Sequence, residues 1–315
     1  MARLGRVVFL GSGAFAVPLL AQLPALSDAL LVVSAPNRPA GRGLQPRAAP
    51  IAAFARERGL ALATPTRLRS DAAREQLRAF APDGLLLAAY GQIVPADMLA
   101  IAPRPPLNVH PSLLPRHRGA APVAATILAG DPVAGVTLMV MTEHLDAGPI
   151  VAQWPLPLSG REEAPDLEAR LAQLAAEMVP LLLGPWAGGS LVATPQDDSV
   201  ASLVRPFTRA DGWIDWERDA TAIDRQVRAL QPWPGAWTTF DGLRLHVRRA
   251  RPVEAVGDLP AGTLLPGDEP RIACGTDALL LETVQPEGRP PMGAEDWRRG
   301  LPRDHIRLGT QPPTA

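Results

Sequence analysis

The chain contains no lysine, so its 31 Lys+Arg side chains are all arginine. Any contact with a phosphate must therefore come from a planar guanidinium group or from backbone N–H groups. The missing lysine also excludes a mechanism that passes through a Schiff base on a lysine amine. Cys274 is the single cysteine, which excludes an intramolecular disulfide and a metal site built from several thiolates.

Long apolar runs are also missing. The N-terminus, MARLGRVVFLG, lacks the apolar stretch of about 7 to 15 residues found in a secretory signal. No run approaches the roughly 18 apolar residues of a membrane span. Together with the lone cysteine, which suits a reducing compartment, these absences predict a cytoplasmic protein with no membrane partner.

The composition leaves room for two domains, with 315 residues of which 47% are hydrophobic. The overall charge, 31 basic against 32 acidic side chains, indicates nothing about nucleic acid. Residues 38–118, however, contain 12 arginines and 5 acids. Within them the segment NRPAGRGLQPR, residues 37–47, has three arginines, no acid and too much glycine and proline for a regular element. It indicates either a solvated loop or a loop that contacts phosphate.

Short apolar segments alternate with helical ones through the first half of the chain. Strands are predicted at 6–11, 29–35, 61–64, 84–90, 105–110 and 133–141, and helices at 50–58, 70–81, 121–130 and 163–184. The alternation predicts an α/β fold with a doubly wound, mostly parallel sheet. The turn GSG at 11–13 lacks the full glycine pattern of a dinucleotide site, and Asp28 comes too early to bind a ribose.

The pattern changes beyond about residue 205. Short alternating segments at 243–253, 261–265, 271–275 and 278–286 are separated by glycine and proline. They predict a smaller C-terminal β domain or barrel. The predicted domains are therefore residues 1–189 and 206–315, joined by a linker at 190–205.

Three polar residues form a candidate site. Asn108, one of two asparagines, lies two residues before His110 at a predicted strand end, so both side chains project to the same side. Asp146 follows in a turn that the strand order places beside them. An amide that steadies an oxyanion, an imidazole that moves protons and a carboxylate that orients it suit acyl transfer. Each residue also suits a turn or a backbone contact, so spacing alone indicates only a proton-transfer site.

Two other chemistries are not expected. His110, His117 and His144 lack the spacing of a metal site, so no metal is predicted. Ser112 lacks the G-x-S-x-G context of a serine nucleophile.

The residues around the candidate site resemble the folate-dependent formyltransferases. The resemblance is carried by LNVHPSLLPRHRGAAP, GVTLMVM and EHLDAGPIV, with NRPAGRG and LLLAAYGQIVP upstream. Further along, DGWIDWERDATAIDRQVRALQPWPGAWT, AGTLL and QPEGRPPMGAEDWRRG resemble the members that act on initiator tRNA. The similarity extends over roughly residues 5 to 300.

The resemblance implies transfer of a formyl group from 10-formyltetrahydrofolate to the α-amino group of methionine on initiator tRNA. It assigns the formyl oxygen to Asn108, proton exchange to His110 and the orientation of that imidazole to Asp146. It implies a Rossmann-like catalytic domain and an OB-like C-terminal barrel that holds the tRNA, in a monomer. Folate contacts are implied for Ser112, Leu113, Leu114, Pro115 and Tyr90, and tRNA contacts for Arg38, Arg42, Arg47 and Arg205.

The sequence departs from the family in two places, and alternative functions for the chain stay open. LQPR replaces the lysines that usually follow NRPAGRG, and EHLDAGPIV has histidine and alanine where the family usually has glycine and threonine. DAGPI is closer to phosphoribosylglycinamide formyltransferases, which with sugar-nucleotide formyltransferases are the nearest alternative. A catalytically inactive RNA-binding protein and a dinucleotide-dependent dehydrogenase are rivals of other classes. The catalytic trio argues against the first, and the incomplete glycine pattern argues against the second.

Overall fold

The computed structural model describes residues 3–40, 45–254, 259–301 and 306–309. These residues fall into two compact units, the first within 1–122, 133–157 and 167–205 and the second within 123–132, 158–166 and 206–315. In the described ranges, no helix is both long enough and apolar enough to cross a lipid bilayer.

The first 205 residues contain most of the α/β elements. In chain order these are β1 (Arg6–Gly11), α1 (Val17–Leu26), β2 (Ala29–Val33), β3 (Arg38–Ala40), β4 (Gln45–Arg47), α2 (Pro50–Glu57), β5 (Ala61–Ala63), α3 (Asp71–Phe80), β6 (Gly84–Ala88), α4 (Ala96–Leu99), β7 (Leu107–His110), β8 (Arg118–Gly119), α5 (Pro122–Ala129), β9 (Val133–Val140), β10 (Ile150–Pro157), α6 (Ala164–Met178), α7 (Pro180–Ala187) and β11 (Leu203–Val204).

A seven-stranded sheet with the order β10-β9-β7-β6-β1-β2-β5 forms the centre of the first unit. Five neighbouring strands, from β7 to β5, run parallel, while β9 pairs antiparallel with both β7 and β10. Every residue of β6 is buried, which is typical of a central parallel strand covered on both faces. The predicted mostly parallel, Rossmann-like sheet is confirmed.

Two local features of the first unit differ from the predicted elements. The helix predicted at 163–184 is two helices, because Pro180 lacks a backbone N–H and begins α7 at its first turn. The segment 37–47, predicted to be irregular, contains the antiparallel strands β3 and β4, with Arg38 opposite Arg47. Arg42 lies outside the described residues.

The second unit carries an antiparallel sheet. Its elements after residue 205 are α8 (Ala220–Ala229), β12 (Ala236–Phe240), β13 (Leu243–Val253), β14 (Arg271–Ala273), β15 (Ala278–Pro286), β16 (Met292–Gly293) and α9 (Ala294–Arg299). The strand order is β12-β13-β15-β14, and β16 pairs with β15. A C-terminal domain of antiparallel strands is therefore confirmed. The strand predicted at 261–265 is reduced to isolated bridges at Thr263 and Leu264.

The core of the second unit forms between α8 and the sheet. Ile223 and Val227 of α8 are buried in one cluster with Leu245 and Val247 of β13. Cys274 belongs to the same cluster, and burial raises the pKa of its thiol to about 12. The single cysteine is therefore a small apolar side chain in the core, with little thiolate at neutral pH.

Candidate active site

The short strand β7 presents the two central polar residues. It lies between β6 and β9, with Asn108 opposite Leu87 and Met139 and with His110 opposite Thr137. The strand ends at His110, as the proline at position 111 predicts. The side chain of His110 is only 6% exposed, so its electrostatic contacts are poorly screened by water.

Asp146 reaches both residues from the turn between β9 and β10. Its Oδ2 lies 3.6 Å from Nδ1 of His110, and its Oδ1 accepts a hydrogen bond from Nδ2 of Asn108 at 3.4 Å. The backbone N–H of Gly119 also donates to Oδ2, at 2.9 Å. The three side chains singled out by spacing therefore meet at one carboxylate.

The second ring nitrogen of His110 faces a backbone carbonyl. Its Nε2 lies 3.0 Å from the oxygen of His117, which has a left-handed φ of 59°. Nδ1 faces Asp146, so both ring nitrogens are next to oxygen acceptors. A neutral imidazole has one N–H and can donate to only one of them, whereas a ring protonated on both nitrogens donates to both. The tautomer of His110 therefore decides whether its N–H faces the carboxylate or the backbone carbonyl.

The loop after β7 is anchored to β9 and β10. Thr137 Oγ1 donates to the oxygen of Ser112 at 2.6 Å and accepts from the nitrogen of Leu114 at 3.1 Å. Gln153 Nε2 donates to the oxygen of Leu114 at 2.8 Å and to Thr137 Oγ1 at 3.0 Å. The Ser112 hydroxyl donates to the oxygen of Arg116 at 2.8 Å. Sequence reasoning missed Thr137 and Gln153, because their distance along the chain from the loop leaves no local pattern.

The four loop residues predicted to contact folate differ in how deeply they are buried. Ser112 is fully buried and Leu114 is 3% exposed, so both hold the loop in place. Leu113 and Pro115 are half-buried, and a Cβ added to Gly135 of β9 would meet the side chain of Leu113. Leu113 and Pro115 are thus the more accessible pair among the four residues 112–115.

Tyr90 is also buried, in the core cluster of the sheet. It is 5% exposed and packs with the residues of β1 and β6 that face that cluster. Burial raises the pKa of its hydroxyl to about 12. Within the described part of the chain, this hydroxyl has no hydrogen-bond partner. An orphaned buried hydroxyl is costly, so it is a candidate contact for a polar group of a bound ligand.

In the glycine-containing turn after β1, the backbone N–H groups already have hydrogen-bond partners within the protein. The N–H groups of Ser12 and Gly13 both donate to the oxygen of Ala89 at 3.0 Å. The Ser12 hydroxyl accepts from the nitrogen of Ala35 at 3.1 Å. These amides are not directed at a phosphate, which argues against the dinucleotide-binding rival.

Two of the four arginines predicted to contact tRNA have described side chains, and both are exposed. Arg47 is exposed on β4, and Arg205 is exposed at the end of the first unit. Arg38 is described only by its backbone, in β3. As for metals, no three His, Cys, Asp or Glu side chains of the described ranges are grouped so that they could hold an ion.

Comparison with protein families places two long segments of the chain in one class of enzymes. The model of the family "Formyl transferase" matches residues 5–183, and "Formyl transferase, C-terminal domain" matches residues 206–302. The chain thus belongs to the formyl transferases.

Individual relatives show which kind of formyl transferase the chain is similar to. A methionyl-tRNA formyltransferase of Roseiflexus castenholzii is 45% identical over 300 residues, which are 94% of this chain and 96% of the relative. One of Anaeromyxobacter dehalogenans is 43% identical over 312 residues, 97% of this chain and 100% of the relative. The chain belongs to the methionyl-tRNA formyltransferase family, and the resemblance found in its motifs is confirmed.

A solved structure shares the fold. HypX from Aquifex aeolicus, in complex with tetrahydrofolic acid, has a TM-score of 0.63 and 18% sequence identity. The match covers 93% of this chain and 46% of HypX, so the chain spans about half the length of that protein.

Proposed function

We propose that Asn108, His110 and Asp146 are the catalytic residues of this formyltransferase. The enzyme transfers a formyl group to methionyl initiator tRNA, and 10-formyltetrahydrofolate is its co-substrate. The bound folate supplies the formyl group on a nitrogen that can leave. A bond forms between the α-amino nitrogen of methionine and the formyl carbon, the bond from that carbon to the folate nitrogen breaks, and one proton passes from the amine to the folate.

Asn108 has the donor that this reaction requires. Its amide nitrogen gives one hydrogen to Asp146 Oδ1 and retains a second. When the amine adds to the formyl carbon, negative charge develops on the formyl oxygen. A donor held in place before the reaction stabilises that charge with little reorganisation. Asp146 therefore orients Asn108 as well as His110.

His110 moves the proton. The Asp146 carboxylate lies beside Nδ1, and Nε2 is directed at the oxygen of His117. A substrate nitrogen that comes within hydrogen-bond distance of Nε2 can exchange a proton with it. The ring can then accept a proton from the amine and give one to the leaving nitrogen, in two steps on one nitrogen.

The wall of the folate site is proposed to be the loop 112–115. Leu113 and Pro115 offer apolar contact to a planar ring, while Ser112 and Leu114 keep the loop on β9 through Thr137. Tyr90 fits the site chemically, since its buried hydroxyl lacks a partner among the described residues. It is the proposed polar contact to the folate.

The proposed tRNA contacts are the arginines Arg38, Arg42, Arg47 and Arg205. Three of them belong to the segment 37–47, which has no acid and so attracts a phosphate backbone. The antiparallel C-terminal domain is proposed to be an OB-like barrel that holds the body of the tRNA. We further propose a monomer in the cytoplasm.

The observation that carries the catalytic assignment is the convergence of one amide and one imidazole on the Asp146 carboxylate. The test is the variant His110→Ala, with His144→Ala as its matched control because His144 is exposed on the same turn as Asp146. We expect His110→Ala to lower the turnover number by about 10² to 10⁴-fold, the usual contribution of general acid–base catalysis. Binding of tRNA should stay near normal. Full turnover in His110→Ala would overturn the mechanism.

The molecule that accepts the formyl group is tested in a separate experiment. The purified enzyme is incubated with 10-formyltetrahydrofolate and either methionyl initiator tRNA or glycinamide ribonucleotide. We expect product only with the tRNA, and formylation of glycinamide ribonucleotide alone would contradict the assignment.

A further inference from the structure

The segment 194–204 lies against the active-site loop and the turn of Asp146. Thr194 exchanges two backbone hydrogen bonds of 2.8 Å with Ile150, directly after that turn. The hydroxyl of Ser202 accepts from the nitrogen of His117 at 2.8 Å, and its carbonyl accepts from the nitrogen of Arg118 at 2.9 Å. β11 then pairs with β8. The segment lies between the two matched family ranges, which end at 183 and begin at 206.

Gln196 connects this segment to the catalytic carboxylate. Its Nε2 donates to the oxygen of Asp146 at 2.9 Å and to the oxygen of Gly148 at 2.7 Å. Its Oε1 accepts from Nε of Arg118 at 3.0 Å and from Nη2 at 2.7 Å. A primary amide has two donor hydrogens and two acceptor positions. All four are used, two of them on the backbone of the Asp146 turn.

The turn needs such support, because its backbone is in an unusual conformation. Asp146 has a φ of 49°, in the left-handed region that residues with a Cβ adopt infrequently. Its carboxylate is useful only where it meets Asn108 and His110. One bond from Gln196 holds the peptide on the carboxyl side of Asp146 and the other holds the carbonyl of Gly148, so together they constrain the backbone from which that side chain projects.

We propose that Gln196 is a positioning residue for formyl transfer, which holds the Asp146 carboxylate against His110 and Asn108 through the carbonyls of Asp146 and Gly148. The inference rests on the proposed role of Asp146. Gln196 contacts the catalytic residue through its backbone, so it acts on the rate through the geometry of the turn.

The decisive variant is Gln196→Glu. A glutamate keeps the length of the side chain and its acceptors for Arg118 but has no donor for the two carbonyls. We expect the turnover number to fall by about 10²-fold, the size of effect that a displacement of about 1 Å in a catalytic group produces. The KM values for tRNA and folate should stay within about twofold of the parent. Gln173→Glu, on the exposed face of α6, is the matched control.

A double-mutant cycle separates positioning from general stability. If Gln196 acts through Asp146, the substitution Gln196→Glu should lower turnover less than about threefold in a chain that already carries Asp146→Asn. A role in general stability would lower activity equally in both backgrounds, and that result would overturn the inference. Thermal unfolding of each variant shows that the protein compared is folded, and Gln196→Asn provides a second variant if the glutamate prevents folding.

The two proposals fail in different ways. If Asp146→Asn loses activity and Gln196→Glu keeps it, the positioning role is wrong and the catalytic trio stands. If Asp146→Asn keeps full activity, both are wrong.

Discussion

The substitution Asp146→Asn tests the centre of the site with the least change of shape. The carboxylate receives an N–H of Gly119 at 2.9 Å and one of Asn108 at 3.4 Å, and it lies 3.6 Å from Nδ1 of His110. Asparagine offers one oxygen and one NH₂ group in place of two oxygens. If its oxygen stays with Gly119 and His110, its NH₂ group faces the NH₂ group of Asn108, and two donors meet.

Both proposed catalytic partners of Asp146, Asn108 and His110, are affected by this change. Asn108 must turn its amide to escape the donor–donor contact, which moves the hydrogen proposed for the formyl oxygen. His110 loses the negative charge beside Nδ1. Loss of an oxyanion donor costs about 10² to 10³-fold, and loss of acid–base function about 10² to 10⁴-fold. These groups act as a unit, so the effects do not multiply, and we expect a decrease in turnover number of about 10² to 10⁴-fold. At about 1.36 kcal/mol per tenfold, this is a barrier about 2.7 to 5.4 kcal/mol higher.

The assay measures initial rates of formylation at saturating 10-formyltetrahydrofolate and saturating methionyl initiator tRNA, with tRNA binding measured separately. We expect the KM for tRNA to stay near that of the parent, because the proposed tRNA contacts are elsewhere in the chain. Asp71→Asn is the control, since Asp71 is an exposed carboxylate at the start of α3. A folded Asp146→Asn variant with more than a tenth of the parental turnover would refute the reasoning.

Three further predictions concern Arg47, Gly84 and His246. Arg47→Ala should reduce the slope of log affinity for tRNA against log salt by about one, and an unchanged slope would remove Arg47 from the interface. Gly84→Ala should lower the free energy of unfolding by about 1 to 3 kcal/mol in urea titrations, because a Cβ there would lie 2.3 Å from the ring of Trp186. Burial, with two nearby arginines, lowers the pKa of His246 from 6.5 to about 4. Between pH 4 and pH 6.5 the unfolded chain binds more protons than the folded protein, so the free energy of unfolding should fall as the pH falls from 6.5 towards 4. The decrease should be less steep in His246→Gln. Equal urea midpoints for the parent and His246→Gln at each pH would contradict this.

The central sheet could be predicted because its signals are local. Strands such as RVVFLG and GLLLA are continuous apolar runs, and burial on both faces of a parallel sheet requires that composition. Asn108 and His110 could be paired because two residues separated by one position on a strand share a face. In both cases a few neighbouring residues contain the information.

The less predictable features depend on contacts between distant segments. The helical periodicity of 163–184 continues through Pro180, so the break between α6 and α7 is visible only from the missing N–H of proline. The hairpin of β3 and β4 is hidden because glycine and proline predict a loop there. Gln196 is 50 residues from Asp146, and a hydrogen bond across that separation leaves no pattern in the sequence.

The turn EHLDAGPIV departs from the family at positions where the structure tolerates a change of side chain. The unusual histidine and alanine are His144, which is exposed, and Ala147, whose nitrogen donates to the His144 carbonyl. That contact is made by backbone atoms alone, so either side chain can change without removing it. Gly148 is different, because a Cβ there would lie 1.8 Å from the oxygen of Val140. Asp146 is constrained too, by its carboxylate contacts and by the bond from Gln196 to its carbonyl. The turn can therefore vary at the two positions whose contacts described here are made by the backbone, while the carboxylate keeps its partners.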